Sequence, residues 1–246
     1  MRVLGIDTAT ATASVALVED GRLISEEIRS SMHRRGPGNR GNHAEILLPA
    51  IETVLSRAGV SLPAISAFAV SIGPGSFTGL RIGLSTVKGL VYGSEIPVVG
   101  IPTLEAIARK VTGWDGLICP LLDARKKEVY TALFRRRTGA LERLTEDHVS
   151  SAEAIIERVA ALDGAEPCLF IGDGIQGYGQ LITAALGGRS RVTLGDVYPS
   201  TACAVAQLGE ARLARQERDP VGAMVPLYLR PSEAELKKGS LKRIRP

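Results

Sequence analysis

Two aspartates and two runs of glycine are the residues of this chain whose types and spacing could do chemistry. Asp7 ends the apolar run "RVLGID" and Asp123 ends "GLICPLLD". The glycines crowd into "SIGPGSFTGLRIGLSTVKGL" (71–90) and "GDGIQG" (172–177). Glycine-rich loops that feed helix N-termini hold phosphates, because backbone N–H groups and the helix dipole both favour an anion.

The letters exclude most specific versions of that chemistry. A Walker A loop needs a lysine directly after its last glycine, but Leu80 and Arg81 follow Gly79. A nucleophile elbow needs Gly-x-Ser-x-Gly. Ser76 directly follows Gly75, and the three histidines, His33, His43 and His148, offer no obvious base. A generic anion site at the start of this helix stays open. "GDGIQG" fits the dinucleotide spacing Gly-x-Gly-x-x-Gly, with Asp196 at a suitable distance. It lies deep in the second half before a short helix, "YGQLITAAL", which is a poor context for NAD. Cys119, Cys168 and Cys203 are far apart in no CxxC spacing, so reduced, mostly buried thiols are expected. No metal site is expected, since His33 and His43 do not supply three or four convergent ligands.

The elements that position these residues form an internal repeat. "RVLGID", "ATASVALVEDG" and "RLISEEI" read as three strands, with Asp20-Gly21 as a hairpin turn. "GLICPLLD", "EVYTALF" and "ALERLTE" repeat the plan at an offset of 116, Asp7 aligning with Asp123. Beyond the turns the copies differ by two residues, assigned to a longer hairpin loop around Thr138-Gly139. A helix follows each set. Residues 43–58 put Leu47, Ile51, Val54, Leu55 and Ala58 on one face, with Pro49 starting or kinking the helix. Residues 150–162 open on a serine cap. A buried strand comes next in each half. The expected fold is α/β, with two similar β-β-β-α-β domains at 1–108 and 109–225. A tail at 226–246 is expected to be partly disordered.

An aspartate closing the first strand of each half resembles the actin, hexokinase and Hsp70 ATPase superfamily. Its nucleotide-binding members place a glycine two residues after the aspartate, so that backbone N–H groups reach a phosphate. Here the stretches are Asp7-Thr8-Ala9-Thr10 and Asp123-Ala124-Arg125-Lys126. Asp7, Thr8, Asp123, Arg125, Gly172 and Gly174 are therefore expected to line a vestigial nucleotide cleft with weak or absent phosphate binding. Arg125 either reaches an anion across that cleft or pairs with Asp123 or Glu128.

The helix from Phe77 carries apolar residues at 77, 80, 84, 87 and 91. Gly79 and Gly83 lie one turn apart beside them, and each glycine inside a helix costs about 1 kcal/mol against alanine. Such a cost points to another backbone approaching closely. That backbone belongs either to the helix 43–58 or to a partner protein. The second reading makes Leu47, Ile51, Phe77, Gly79, Leu80, Gly83, Leu84 and Val87 a partner interface.

"LGIDTATATASVAL", "NHAEILLPAI", "GPGSFTGLRIGLSTVKGL", "LLDARKKEVYTALF" and "PLYLRPSEAE" together resemble the TsaB (YeaZ) family of bacterial threonylcarbamoyladenosine biosynthesis. The resemblance covers residues 1 to about 135 and resumes near 226. It implies an actin-like fold without catalysis of its own, similar to TsaD, which transfers a threonylcarbamoyl group to N6 of adenosine 37 in tRNA. It implies pairing with TsaD through helices near 43–58 and 77–93, with the ATPase TsaE joining the pair. Homodimers are implied through the same surface. Contact with tRNA would be indirect, and ATP or ADP would bind weakly or be shared at a complex interface. TsaD carries a His-x3-His metal pair, whereas here Leu47 stands four residues after His43. The stretch "MHRRGPGNRG" (32–41) departs from the family pattern as an insertion. Its arginines either touch tRNA or are solvated.

Composition fits that reading without proving it. Of 246 residues 45% are hydrophobic and 23% charged, as in ordinary globular domains. The net charge is +4, a mildly basic balance that permits attraction to RNA. Aromatic residues make up 4%, too few to stack on single-stranded bases. No apolar run reaches the roughly 18 residues of a membrane span, and the N-terminus reads as a strand, so a cytoplasmic protein is expected. The alternative is a working enzyme, an actin-like ATP-dependent kinase or a glycoprotease-type hydrolase.

Overall fold

The computed structural model of the chain describes residues 1–30, 43–162, 166–193 and 201–230. The insertion at 32–41, Asp196 and the tail beyond 230 lie outside the described residues. The first half runs β1 (Arg2–Asp7), β2 (Thr12–Glu19), β3 (Arg22–Ser30), α1 (His43–Ala58), β4 (Ala67–Gly73), α2 (Phe77–Leu90), β5 (Val98–Pro102) and α3 (Thr103–Lys110). The second runs β6 (Gly116–Asp123), β7 (Val129–Thr131), β8 (Phe134–Arg137), β9 (Ala140–Arg143), β10 (His148–Ser150), α4 (Ala152–Ala160), β11 (Cys168–Ile171), α5 (Ile175–Leu186), β12 (Ser190–Val192) and α6 (Ala202–Ala214).

The two sheets share one plan. Their strand orders are β3-β2-β1-β4-β5 and β10-β7-β6-β11-β12, with β8 and β9 continuing from β6. In each, the leading hairpin is antiparallel and the two strands after the helices are parallel. The expected repeat is thus present and longer than expected, since each half adds a second helix, a fifth strand position and a third helix.

The strand expected over "EVYTALF" is divided into β7 and β8, and Pro120 explains the gap. The pairings Leu121 with Thr131 and Ile118 with Phe134 lie on one register, which sets Pro120 opposite Ala132. The Leu117 N–H goes to Pro167 on the other side. Pro120, in phase with Ile118, therefore faces Ala132 with no N–H to give. The two surplus residues do not enlarge a loop. Both turns hold two residues, between Glu19 and Arg22 and between Arg137 and Ala140, so the surplus lengthens the strand.

The third helices exchange sides. One face of the first sheet, with Leu4, Ile6 and Val70, packs on α1 and α2. The opposite face, with Val3, Ala69 and Val99, packs on α6, which comes from the far end of the second half. Gly5 admits this helix closely, since a Cβ there would run into the Ala202 carbonyl. In return α3, whose Ala106 joins that first-sheet cluster, packs Leu104, Ile107 and Ala108 against Ile118, Phe134 and Ile171 of the second sheet. The expected division at residue 108 falls inside α3, and α6 packs on the first sheet. Burying apolar surface at about 25 cal/mol per Å² makes this exchange a strong tie between the halves.

The C-terminal segment completes the first domain. The open edge of β5 is capped by the Asp219 N–H on the Val98 carbonyl at 3.1 Å and by the Gly100 N–H on Asp219 Oδ2 at 2.7 Å. Arg212 Nη1 donates to the Gly100 carbonyl at 2.6 Å. The outward-facing groups of the edge are therefore occupied, which protects it from pairing with another chain. Residues 226–230, at the start of the expected tail, are docked: the Leu227 N–H meets the Ile72 carbonyl at 2.6 Å, and Tyr228 stacks on Phe77 with ring centroids 4.8 Å apart.

Candidate functional site

Asp7 and Thr8, expected to line a nucleotide cleft, are both buried. Asp7 is 2% exposed and Thr8 0%. One Asp7 oxygen accepts the Ala9 N–H at 3.0 Å, and the other accepts the Thr201 hydroxyl from the start of α6. Thr8 donates its hydroxyl to the Gly79 carbonyl at 2.7 Å. The carboxylate is thus spent on holding β1, its own turn and α6 together.

The glycine loop of α2 is closed by the same residues. The Ser76 N–H donates to the Ala9 carbonyl at 2.6 Å, and Ser76 Oγ caps the helix by accepting the Gly79 N–H at 3.2 Å. A Cβ on Gly79 would overlap the Thr8 carbonyl oxygen, and one on Gly83 would overlap the Thr8 hydroxyl. The close approach at both glycines is that of Thr8, just past β1, and not that of the helix 43–58.

Most of the rest of the expected interface set faces inward in this chain. Leu47, Ile51, Leu84 and Val87 belong to the core of the first domain, and Leu80 is buried beside them. Phe77 is half-buried under Tyr228, with the Arg81 guanidinium 4.0 Å from its ring centroid and Arg81 Nε bonded to the Tyr228 hydroxyl at 2.7 Å. The apolar stripe of α2 is a core stripe. What the two helices turn outward is different: Leu48, Pro49 and Glu52 on α1, and Thr78, Ser85 and Gly89 on α2. Tyr92, just past α2, is 91% exposed.

The second half repeats the arrangement, which explains "GDGIQG". Gly172 and Gly174 lead from β11 into α5 as Gly73 and Gly75 lead from β4 into α2. A Cβ on Gly172 would overlap the Leu121 carbonyl, and one on Gly174 would lie 3.0 Å from it. The Gly174 N–H donates to that carbonyl at 3.0 Å, while the N–H groups of Ile175, Gln176 and Gly177 are taken up within the turn. The loop fits closely against β6. Asp123 is exposed at the tip of β6 and forms the ion pair expected with Arg125, at 3.2 Å. Asp173, whose pKa burial raises, accepts the Asp123 N–H at 2.8 Å.

Sequence reasoning missed Thr201, Arg81, Tyr228 and Arg230, each of which acts across more than 100 residues of chain. No local pattern marks them. His43 does begin α1, as expected, and is buried, its Nε2 without a hydrogen-bond partner among the described residues. Cys119 and Cys168 are buried free thiols, burial pushing Cys119 up to about 12. Cys203 is a free thiol of intermediate exposure. A cleft of about 640 Å³ lies elsewhere, between β5, α6 and residues 217–225. Its Arg212 is spent on Glu217 and Asp219, and its Arg215 pairs with Glu217. No described helix is long and apolar enough to cross a membrane.

Two duplicated α/β halves with exchanged third helices define an actin-like ATPase fold. A ROK hexokinase from Thermus thermophilus shares that fold at TM-score 0.51 and 13% identity, over 87% of this chain and all of that one. YeaZ from Pseudomonas aeruginosa is nearer, at TM-score 0.75 and 28% identity over 93% of this chain and 99% of that one. The family model for TsaD, tRNA N6-adenosine threonylcarbamoyltransferase, matches residues 38–238. The tRNA threonylcarbamoyladenosine biosynthesis protein TsaB of Bacillus subtilis is 31% identical over 237 residues, 96% of this chain and 97% of that protein. TsaB of Escherichia coli is 36% identical over 167 residues, 67% and 68% of the two chains. The chain belongs to the TsaB (YeaZ) family, within the group that the TsaD model describes.

Proposed function

We propose that the chain is a non-catalytic subunit of the machinery that makes N6-threonylcarbamoyladenosine in tRNA, binding and supporting a TsaD protein together with TsaE. The observation that carries this reading is the closed mouth of the first domain. Asp7, Thr8 and the α2 glycines bond to one another, leaving no glycine-lined opening for a phosphate beside the carboxylate. A chain of this family with its catalytic corner spent on packing acts through its surface.

The partner face in this reading is the outward side of α1 and α2, carrying Leu48, Pro49, Thr78, Ser85 and Gly89. Alone, the chain pairs with a second copy through the same face. Any ATP or ADP is held at a complex interface, and the protein works in the cytoplasm. The test is co-purification with TsaD. Ser85→Arg and Leu48→Asp each abolish capture while the melting temperature stays unchanged, because both side chains point outward. Normal capture of both variants puts the interface elsewhere. Calorimetry of the full chain with ATP and magnesium decides against the enzyme alternative: micromolar affinity overturns the scaffold.

A further inference from the structure

The described chain crosses between its halves once more at residues 224–230. Several contacts of different kinds fix this segment on the first domain. Met224 is buried in the core that holds Leu84 and Val98. The Leu227 N–H meets the Ile72 carbonyl at 2.6 Å, and a Cβ on Gly73 would come within 2.8 Å of the Leu227 carbonyl oxygen. Tyr228 stacks on Phe77 at the start of α2, and its hydroxyl accepts from Arg81 Nε. Two residues on, Arg230 reaches the second domain. It donates to the Ala124 carbonyl at 3.1 Å and pairs with Glu128, both in the turn that joins β6 to β7. The segment thus runs from the carboxyl end of β4 to that of β6. Open α/β sheets form their clefts at such strand ends.

The two ends of the segment are held unequally. On the first domain a buried methionine, a backbone hydrogen bond and a ring stack are contacts that salt scarcely weakens. On the second domain the hydrogen bond and the ion pair belong to one side chain. Arg230 and Glu128 are 28% and 35% exposed there, so solvent and salt screen their attraction. The halves have a firmer connection in α3. It turns Ala106 to the cluster that α6 joins on the first sheet, and Leu104, Ile107 and Ala108 to the second sheet. A buried helix shared by both halves, with a screened polar contact between them, is the arrangement of a hinge and a catch.

We propose that residues 224–230 form a latch between the domains, fastened on the first and released at Arg230, which sets the orientation of the second domain about α3. Closed, the Arg230–Glu128 pair ties the β6–β7 turn to the α2 end of the first domain. Salt that screens the pair, or an anionic group that competes for Arg230, opens it. The segment then stays on Ile72 and Phe77 while the second domain turns. A partly exposed ion pair of this kind shifts an equilibrium about two- to fivefold, enough to bias two orientations and too little to hold the fold together. The latch does not depend on the tRNA-modification reading, because every group in it belongs to this chain.

Pulsed electron–electron resonance on the full chain reads that orientation. Spin labels at Ser56→Cys on α1 and Glu157→Cys on α4, both exposed positions, report on the two domains. Cys203→Ser removes the half-exposed thiol, while Cys119 and Cys168 are buried. At low salt, about 50 mM, the labelled chain gives one main distance. Arg230→Ala and Glu128→Gln each raise the share of a second distance about two- to fivefold. Salt at about 500 mM does the same without either substitution. Arg230→Glu combined with Glu128→Arg restores the main distance, as a direct pair requires. The melting temperature of both single variants stays at the starting value, because α3 and α6 keep their packing. One unchanged distance in both single variants and at high salt overturns the latch. A second distance that arrives only with a lowered melting temperature overturns it too, making Arg230 a structural tie.

Discussion

Thr8 and Gly79 meet across the junction of β1 and α2: the Thr8 hydroxyl donates to the Gly79 carbonyl at 2.7 Å, and a Cβ on Gly79 would overlap the Thr8 carbonyl oxygen. The end of the first strand is thereby bonded to the helix beside it. Two glycines of α2 therefore serve the fold, and a third, Gly89, has open space around it.

That contrast gives opposite signs for one substitution. Gly79→Ala costs about 1–3 kcal/mol from overpacking, even after the helix-propensity gain. Gly89→Ala gains about 0.5–1 kcal/mol, since only propensity and unfolded-chain entropy change. Thermal melts of the two variants check this, at about 2–4 °C per kcal/mol for a chain of this size. Equal shifts of the same sign contradict the packing shown at Thr8.

Asp7→Ala removes an acceptor that holds both the Ala9 N–H and the Thr201 hydroxyl. Hydrogen bonds to a charged group contribute about 1.5–3 kcal/mol, so the urea midpoint drops clearly. The loss appears without any nucleotide present. A midpoint that moves only when ATP is added assigns Asp7 to a ligand instead.

His43 makes stability pH-dependent. Burial lowers its pKa, and the nearby Asp7 carboxylate pulls the other way without overcoming it. The unfolded chain takes up this proton near about 6.5, the folded chain only at lower pH. The folded state thus binds fewer protons in between, and stability rises with pH there. The contribution is complete above about pH 6.5 and is lost as pH falls toward the folded value. Denaturant titrations at several pH values show that limb in the wild type and a flatter one in His43→Gln.

Arg212 guards the β5 edge through Gly100, Asp219 and Glu217. Its side chain is partly exposed, so solvent screening holds the loss in Arg212→Ala to about 1–2 kcal/mol. The sharper readout is local. Limited proteolysis cuts within 217–225 in the variant before the rest of the chain, and light scattering shows association through the opened edge. A digestion pattern like that of the wild type removes this role.

Much of the scaffold was legible. Period 3.6 placed α1 at its observed bounds, and Asp20-Gly21 marked its turn, because both depend on residues a few positions apart. The repeat was legible from Asp7 and Asp123. The division of β7 from β8 was not, because Pro120 acts on a strand it meets only by pairing. The exchange of α3 and α6 was not either, since an apolar helix face does not state which sheet will cover it.

The sequence by itself determined the elements, their duplication and the family, all carried by local pattern or by order along the chain. Only the tertiary structure decided what each glycine and charge is for. Gly83 reads the same beside a partner helix as beside Thr8, and Arg125 reads the same facing an anion as paired with Asp123. The physical reason is that close approach and charge balance are set by what lies opposite in space, and those groups come from distant parts of the chain.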